Sequence, residues 1–199
     1  MEILQNLIHD KQLSWEKSLD SNTNSFLKEI SEKAISELYN KKDIIQTSDI
    51  ENFPILKKEI TDLKNQCLIN GNGFFILDGC CFENFTQTHV QEIYRIISTC
   101  FGELYIQNIQ NEKFVIITDE GKSMKTGGRY HQTKEGGSFH TDSPQWSKVP
   151  DFIGLLCVRP ANIGGISKFV SAYTIHNQFL KLNPNFLKIL YNKFHFDKR

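Results

Sequence analysis

The sequence predicts an α+β protein in which a helical N-terminal layer precedes a jelly roll or a related β-sandwich. Three observations favour this fold class. Apolar residues recur at helical spacing through residues 1–70, short apolar segments bounded by glycine follow in residues 71–199, and helix and strand patterns do not alternate regularly. Regular alternation would indicate a doubly wound parallel sheet, so this order favours strands packed in layers with helices beside them.

The N-terminal region, residues 1–70, contains two predicted helices. Each has one apolar face, formed by Phe26, Ile30, Ala34 and Leu38 in the first helix and by Leu56, Ile60, Leu63 and Cys67 in the second. Pro54 suits the first turn of the second helix, and Asn70-Gly71 is typical of a helix C-terminus. We therefore treat residues 1–70 as an N-terminal helical region and residues 71–199 as the N-terminal part of a following domain.

The second region combines short strands with two further helical segments. Strands are predicted at 73–78, 113–118, 138–142, 152–158 and 168–171, because each is short and strand-like in its residues. Helical spacing returns at 86–100 and again at 172–193, where Asn183-Pro184 predicts a break. The glycine-rich stretch 121–137 is a predicted loop.

Composition and charge exclude several classes of protein. The chain has 199 residues with 39% hydrophobic residues, enough for one core, and its 23 basic and 23 acidic residues give a formal net charge of zero. Acidic and basic residues interleave, which argues against a nucleic-acid or anionic-membrane surface, and no apolar run reaches the roughly 18 residues that span a bilayer. We expect a cytoplasmic protein whose partners are small molecules or other proteins.

The five cysteines do not indicate a metal ribbon or a disulfide framework. Their number is odd, whereas a secreted disulfide framework pairs an even number of cysteines. None forms the CxxC pair that a zinc ribbon needs. Cys67, Cys100 and Cys157 lie in apolar stretches and are predicted to be small core residues.

The candidate site is the triplet His140-Thr141-Asp142. In a strand the side chains at i and i+2 point the same way, so this triplet delivers an imidazole and a carboxylate to one point. These are two-thirds of a 2-His-1-carboxylate facial triad, the ligand set of non-haem Fe(II) oxygenases. A structural histidine paired with Asp142 is the alternative. A zinc hydrolase is a third, weaker hypothesis, because the chain contains no HExxH motif or third histidine at suitable spacing.

The segments after the triplet form a recognisable succession. They are Pro144-Gln145, PDFIGLLCVRP over 150–160, GGIS over 164–167 and VSA over 170–172. This succession resembles the TauD/TfdA family of Fe(II)- and 2-oxoglutarate-dependent dioxygenases, which includes clavaminate synthase-like enzymes, over roughly residues 73–199. The resemblance implies a double-stranded β-helix, that is, a jelly roll with iron at its mouth. It also implies oxidation of an unactivated C–H bond coupled to decarboxylation of 2-oxoglutarate to succinate.

The resemblance assigns roles to individual residues. His140 and Asp142 match the two proximal iron ligands and are the catalytic pair, and Ser167 matches a residue whose hydroxyl contacts the 2-oxoglutarate carboxylate. An ordinary strand or turn serine remains the alternative for Ser167. The residues expected to line the cavity of a small amino-acid-like or secondary-metabolite substrate are Arg129, Tyr130, Phe139 and Gln145.

The sequence departs from the family after Asp142. The family has a distal histidine, followed by an arginine that pairs with the far carboxylate of 2-oxoglutarate. His176 falls in a predicted helix and His195 lies near residue 199, so neither matches the distal position. We therefore expect a partial jelly roll. Three explanations stay open: a truncated gene, a split enzyme whose second polypeptide supplies the missing half, or a non-catalytic remnant that binds a protein partner.

Overall fold

The computed structural model of the chain describes residues 26–71, 73–78, 85–128, 130–144 and 146–195. These residues form two compact units. The first contains the described residues of 26–101 and 168–195, and the second is Gly102–Ser167. The predicted boundary at residue 70 separates a region of helical spacing from a region of short strand-like segments, and it stays a prediction.

The first unit begins with a short parallel sheet. Strand β1 (Leu27–Glu29) pairs with strand β2 (Ile76–Asp78), with Leu27 opposite Ile76. Strand β2 confirms part of the strand predicted at 73–78. The predicted helix over residues 26–38 is wrong in its first part, because a spacing of four residues fits one face of a strand as well as one face of a helix. Phe26 and Ile30 are buried as expected and flank β1, so they do not lie on one continuous helix with Ala34 and Leu38.

Two α-helices follow and match the predicted pattern. Helix α1 (Glu32–Asn40) leads through 3₁₀ turns at Lys42–Thr47 and Ile50–Asn52 to helix α2 (Pro54–Leu63). Pro54 occupies the first turn of α2, as predicted. The helix continues as a π-helical segment, Lys64–Ile69, and ends at Asn70, which confirms the predicted stop.

Helices α1 and α2 cap each other through two carboxylates. The Ser31 N–H at the start of α1 donates to Glu59 Oε2 at 3.0 Å, and the Ser31 hydroxyl donates to Glu59 Oε1. In the other direction, Glu37 Oε2 accepts from the N–H groups of Ile55 and Leu56, both at 3.1 Å. Each carboxylate therefore satisfies helix-terminal donors of the neighbouring helix, where the helix dipole also favours negative charge.

Helix α3 (Gln87–Ser98) completes the packed core of the first unit. Thr86 caps its start by accepting from the His89 N–H at 3.2 Å, and Lys64 Nζ donates to the carbonyls of Cys100 and Phe101 just beyond its end. This confirms the helix predicted at 86–100. The core cluster joins α1, α2, α3 and the turns between α1 and α2; it consists of Ile30, Ala34, Leu38, Ile45, Ile50, Phe53, Leu56, Ile60, Ile93, Ile96 and Ile97.

Two helices at the C-terminal side of the chain also belong to the first unit. Helix α4 (Ala172–Leu182) and helix α5 (Pro184–Leu190) are separated at Asn183, which confirms the predicted break. Ser171 caps α4 through the Thr174 N–H, and the Asn183 side chain caps α5 through the Phe186 N–H. No helix among the described residues combines the length and the apolar character that crossing a membrane requires.

The second unit, Gly102–Ser167, has turns but no strands among its described residues. The strands predicted at 113–118, 138–142 and 152–158 are absent there, and 168–171 of the first unit is not a strand either. The regular elements among the described residues of this unit are two short 3₁₀ turns, Met124–Thr126 and Tyr130–Gln132. A strand forms only when a second strand pairs with it through a series of backbone hydrogen bonds. The described residues of this unit make only isolated backbone hydrogen bonds. The jelly roll is therefore not seen in this structure.

Candidate functional site

The side chains of His140 and Asp142 converge in the second unit. His140 Nε2 lies 3.4 Å from Asp142 Oδ1, and both side chains are about half exposed, at 54% and 52%. The triplet is not in a strand. The two side chains are nevertheless in contact. The strand geometry from which the sequence predicts this contact is absent, so the strand part of the prediction is wrong.

The backbone carbonyl of Ser138 orients the imidazole. His140 Nδ1 lies 2.7 Å from this oxygen, and because a carbonyl oxygen can only accept, the contact assigns the proton to Nδ1. In a neutral imidazole the lone pair is then on Nε2, the nitrogen that faces Asp142. Metal-binding histidines commonly have this arrangement, with one ring nitrogen donating to a carbonyl and the other holding the metal.

The separation of the two side chains suits two ligands of one metal ion. With metal–ligand bonds of about 2.1 Å and angles between octahedral and tetrahedral values, neighbouring ligand atoms lie about 3.0 to 3.4 Å apart. The observed 3.4 Å between Nε2 and Oδ1 falls at the upper end of this range. When the imidazole is protonated, the same contact becomes a surface ion pair, which is the structural alternative.

A third metal ligand is not found in the part of the chain that the structure describes, where no three His, Cys, Asp or Glu side chains group together. His176 lies on α4 in the first unit, where it is buried, with its ring 5.8 Å from that of Tyr191. Its Nδ1 is 3.1 Å from Asn177 Oδ1. His195 is exposed and follows the last helix of that unit. The described residues thus bring together two potential ligand side chains, those of His140 and Asp142.

A tight turn follows the pair and was not predicted. Ser143 has a left-handed φ of 49°, and its carbonyl accepts from the Trp146 N–H at 3.0 Å, so the chain reverses directly after Asp142. The Trp146 ring then stacks on Tyr105 at 6.0 Å. Pro144 at the second position of this turn was the available signal, because proline favours that position.

Two backbone hydrogen bonds hold the loop that precedes the site. The N–H groups of Thr118 and Glu120 donate to the carbonyls of His131 and Gln132, at 3.0 and 2.9 Å. The hydrogen bond from Lys122, whose Nζ is 2.6 Å from Glu120 Oε2, lowers the pKa of the Glu120 carboxyl. The Glu120 carboxylate also accepts from Gln132 Nε2 at 3.1 Å. It therefore links Lys122 and Gln132 within this loop.

For the remaining predicted site residues, the structure describes some side chains and leaves others out. Ser167 and Phe139 are exposed, the latter at 63%, and Ser167 makes no hydrogen bond to His140 or Asp142 among the described residues. Tyr130 begins a 3₁₀ turn, but its side chain is not described. Arg129 and Gln145 lie outside the described residues. The structure thus brings His140 and Asp142 together, and the roles of the other residues stay predictions.

An imidazole and a carboxylate at this separation fit two ligands of one metal ion in a metal-dependent protein, and they also fit a surface ion pair. Comparison with known families identifies the family of the chain. The family described as "Taurine catabolism dioxygenase TauD, TfdA family" matches residues 36–199. The chain therefore belongs to the TauD/TfdA family. The match begins within α1, well before residue 73, where the sequence resemblance was expected to begin. Membership implies a jelly-roll fold, and the helices found here do not conflict with it.

A relative from Streptomyces rubellomurinus (strain ATCC 31215), named FR-33289 synthase, is similar over much of the chain. The two sequences are 29% identical over 156 residues, which is 76% of this chain and 44% of the relative. The chain thus spans less than half the length of this relative. No solved structure matches the chain.

Proposed function

We propose that the chain carries the proximal metal-binding residues of an Fe(II)- and 2-oxoglutarate-dependent dioxygenase, an oxidoreductase that hydroxylates a small substrate. The observation that carries this proposal is the 3.4 Å contact between His140 Nε2 and Asp142 Oδ1. The Ser138 carbonyl binds the other ring nitrogen, Nδ1, and so leaves Nε2 facing Asp142. The pair lies within residues 36–199, which match a family whose description names a dioxygenase.

In this proposal each residue of the site has a separate task. His140 and Asp142 hold the iron by one edge, and the half-exposed position of both side chains leaves room for further ligands. The bound iron, together with 2-oxoglutarate, supplies the activation of dioxygen for oxidation of a C–H bond. The exposed Ser167 hydroxyl would donate a hydrogen bond to a carboxylate of 2-oxoglutarate.

The substrate side of the proposal rests on fewer observations. Phe139 directly precedes the ligand His140 and exposes 63% of its surface, so it offers an apolar face beside the metal. Arg129, Tyr130 and Gln145 are the polar residues proposed to contact the substrate. The relative is named as a synthase, which supports a biosynthetic, amino-acid-like or secondary-metabolite substrate class for this chain too.

Catalysis also requires a third ligand and a cation for the far carboxylate of 2-oxoglutarate. We propose that both come from outside the residues that the structure describes. Two observations support this part of the proposal: the described residues contain no cluster of three ligand groups, and the relative has more than half of its length outside the match. A two-ligand site binds metal less tightly than a complete one, so we expect weak iron binding by this chain alone.

Anaerobic equilibrium binding of Fe(II) to the purified chain tests the proposal. We expect one metal ion per chain, and His140→Ala or Asp142→Ala should weaken binding about tenfold or more, because even residues that only support metal ligands change affinity by such factors. The control is His195→Ala, which removes an exposed histidine of the first unit and should leave binding unchanged. Unchanged Fe(II) affinity in His140→Ala would contradict the proposal. Zinc retained after anaerobic purification would favour a zinc hydrolase.

A second candidate function is a protein-binding module without catalysis, either a remnant or one half of a split enzyme. The exposed apolar side chains of the second unit favour it, because monomeric proteins seldom leave many such groups uncovered. Analytical ultracentrifugation separates the alternatives. A stable, monodisperse monomer of the 199-residue chain counts against a protein-binding role, whereas a specific heteromer supports it.

A further inference from the structure

A stacked aromatic pair lies close in sequence to the candidate site and has no part in the function proposed above. The ring centroids of Trp146 and Tyr105 are 6.0 Å apart, and the two ring planes differ by 21°. This separation is typical of a favourable aromatic pair in proteins. Both side chains are partly buried, whereas the neighbouring Ile106 and Val149 expose 49% and 51% of their surface. The pair therefore covers aromatic surface in a part of the chain where other apolar side chains are exposed.

The stack joins two segments that are distant in the sequence. Tyr105 precedes Trp146 by about forty residues. The Tyr105 ring centroid also lies 5.8 Å from Lys148 Nζ, which is a cation–π contact. Two side chains of the segment that follows Asp142 thus contact the same tyrosine ring, which ties this segment to a distant part of the second unit.

The turn after Asp142 depends on contacts of this kind. Ser143 has a left-handed φ of 49°, a conformation that costs free energy for a residue with a side chain and persists where surrounding contacts hold it. The hydrogen bond from the Trp146 N–H to the Ser143 carbonyl closes the turn at 3.0 Å, and the stack holds the Trp146 side chain at its end. Because Ser143 directly follows Asp142, this turn helps to determine where the Asp142 carboxylate lies relative to His140 Nε2.

We propose that Trp146 and Tyr105 are positioning residues for Asp142, whose carboxylate their stack keeps beside His140 Nε2 by holding the intervening turn. The inference rests on the proposed function, in which this carboxylate is a metal ligand. Ligand side chains have to be held within about 0.5 Å of their productive geometry by the residues around them. The two rings act through Asp142, so their effect requires an aromatic side chain at both positions and disappears when the Asp142 carboxylate is removed.

Calorimetric titration of the full chain with Co(II) tests the need for aromatic side chains. Trp146→Ala and Tyr105→Ala should each weaken Co(II) binding about tenfold, as the loss of residues that support metal ligands does. Trp146→Phe keeps a ring that can stack on Tyr105 and should restore most of the affinity. The matched control is Ile106→Ala, which removes a half-exposed side chain next to Tyr105 and outside the stack, and it should leave the affinity unchanged.

A double-mutant cycle tests whether the stack acts through Asp142. Trp146→Ala should weaken Co(II) binding in the otherwise unmodified chain and cause no further loss in Asp142→Ala, because the carboxylate that the stack positions is then gone. Equal losses in both backgrounds would show that the stack stabilises the second unit in general and would refute the positioning role. A Trp146→Ala chain that binds Co(II) as tightly as the unmodified chain would refute it as well.

A measurement on the metal-free chain separates this inference from the proposed function. The three-bond coupling between the backbone nitrogen and Cγ of Asp142, measured by nuclear magnetic resonance, reports the χ1 rotamer of this side chain. We expect the coupling of a single rotamer in the unmodified chain and in Trp146→Phe, and an averaged coupling in Trp146→Ala.

The two kinds of measurement fail independently. If the unmodified chain does not bind Co(II) but the Asp142 coupling changes as expected, the proposed function is wrong and the stack still positions the carboxylate. If Co(II) binding depends on Asp142 but the coupling in Trp146→Ala equals that of the unmodified chain, the proposed function stands and the positioning role is refuted.

Discussion

Glu37 connects helices α1 and α2, and its replacement should be costly. The side chain is 7% exposed, and its Oε2 accepts from the N–H groups of Ile55 and Leu56 at the start of α2, which has no side-chain cap of its own. Ile55 is 40% exposed, so water can reach its N–H in the variant, whereas Leu56 is fully buried. Removing the carboxylate therefore leaves one buried donor unsatisfied.

The cost can be worked from these contacts. A hydrogen bond to a charged group contributes about 1.5 to 3 kcal/mol, so Glu37→Ala should lower the free energy of unfolding by about 2 to 3 kcal/mol. The pair with the partly exposed Lys41, at 3.5 Å, adds less than about 1 kcal/mol. Glu37→Gln keeps one acceptor oxygen and should lose about 1 kcal/mol.

Urea unfolding followed by circular dichroism in the far ultraviolet measures this cost. All the α-helices of the described residues belong to the first unit, so the signal reports on the unit that contains Glu37. The control Glu32→Ala removes an exposed carboxylate from the first turn of the same helix and should cost about 0.5 kcal/mol. A Glu37→Ala variant as stable as Glu32→Ala would refute the capping argument.

Two further predictions concern the core and the cysteines. Phe53 is fully buried, so Phe53→Ala should lower the free energy of unfolding by about 3 to 5 kcal/mol. The control Ile109→Ala removes a 93% exposed side chain and should change it by less than about 0.5 kcal/mol. Urea unfolding midpoints of both variants measure the difference. Burial raises the pKa of the Cys100 thiol, so at pH 8 it carries less thiolate than an exposed cysteine. Timed iodoacetamide labelling read by peptide mass spectrometry should therefore modify the exposed Cys157 before Cys100, and equal rates would contradict this.

Local signals explain what the sequence predicted correctly about the fold. Thr86 caps α3, Pro54 starts α2 and Asn183 separates α4 from α5, and each of these effects acts within three or four residues. Burial of Cys157 was predicted wrongly, because its apolar neighbours were expected to lie in a covered strand and are instead exposed.

Strands depend on partners that local patterns do not identify. Residues 152–158 have the composition of a buried strand, but a ladder forms only with a second strand, and the described residues supply none beside them. Reading Phe26 to Leu38 as one helix failed for a related reason: strand β1 is specified by its pairing with Ile76–Asp78, about fifty residues away.

The candidate site shows the same division between local and distant determinants. The sequence predicts that His140 and Asp142 converge on one face of a strand, whereas the structure has the two side chains in contact outside any strand. The Ser138 carbonyl that orients the imidazole could not be predicted, because backbone acceptors carry no sequence signature. The position of a third metal ligand could not be predicted either, because the fold determines it rather than a spacing near Asp142.

The most direct test of the central claim is nuclear magnetic resonance of the chain labelled with ¹⁵N at histidine, during titration with Co(II). We predict that His140 Nδ1 carries the proton before metal is added, and that the Nε2 resonance is the first to broaden and shift when Co(II) binds. The same titration of Asp142→Ala should need about tenfold more Co(II) to change the His140 resonances to the same extent. If Co(II) leaves the His140 ring of the unmodified chain unperturbed, or binds through Nδ1, the proposed metal site is wrong.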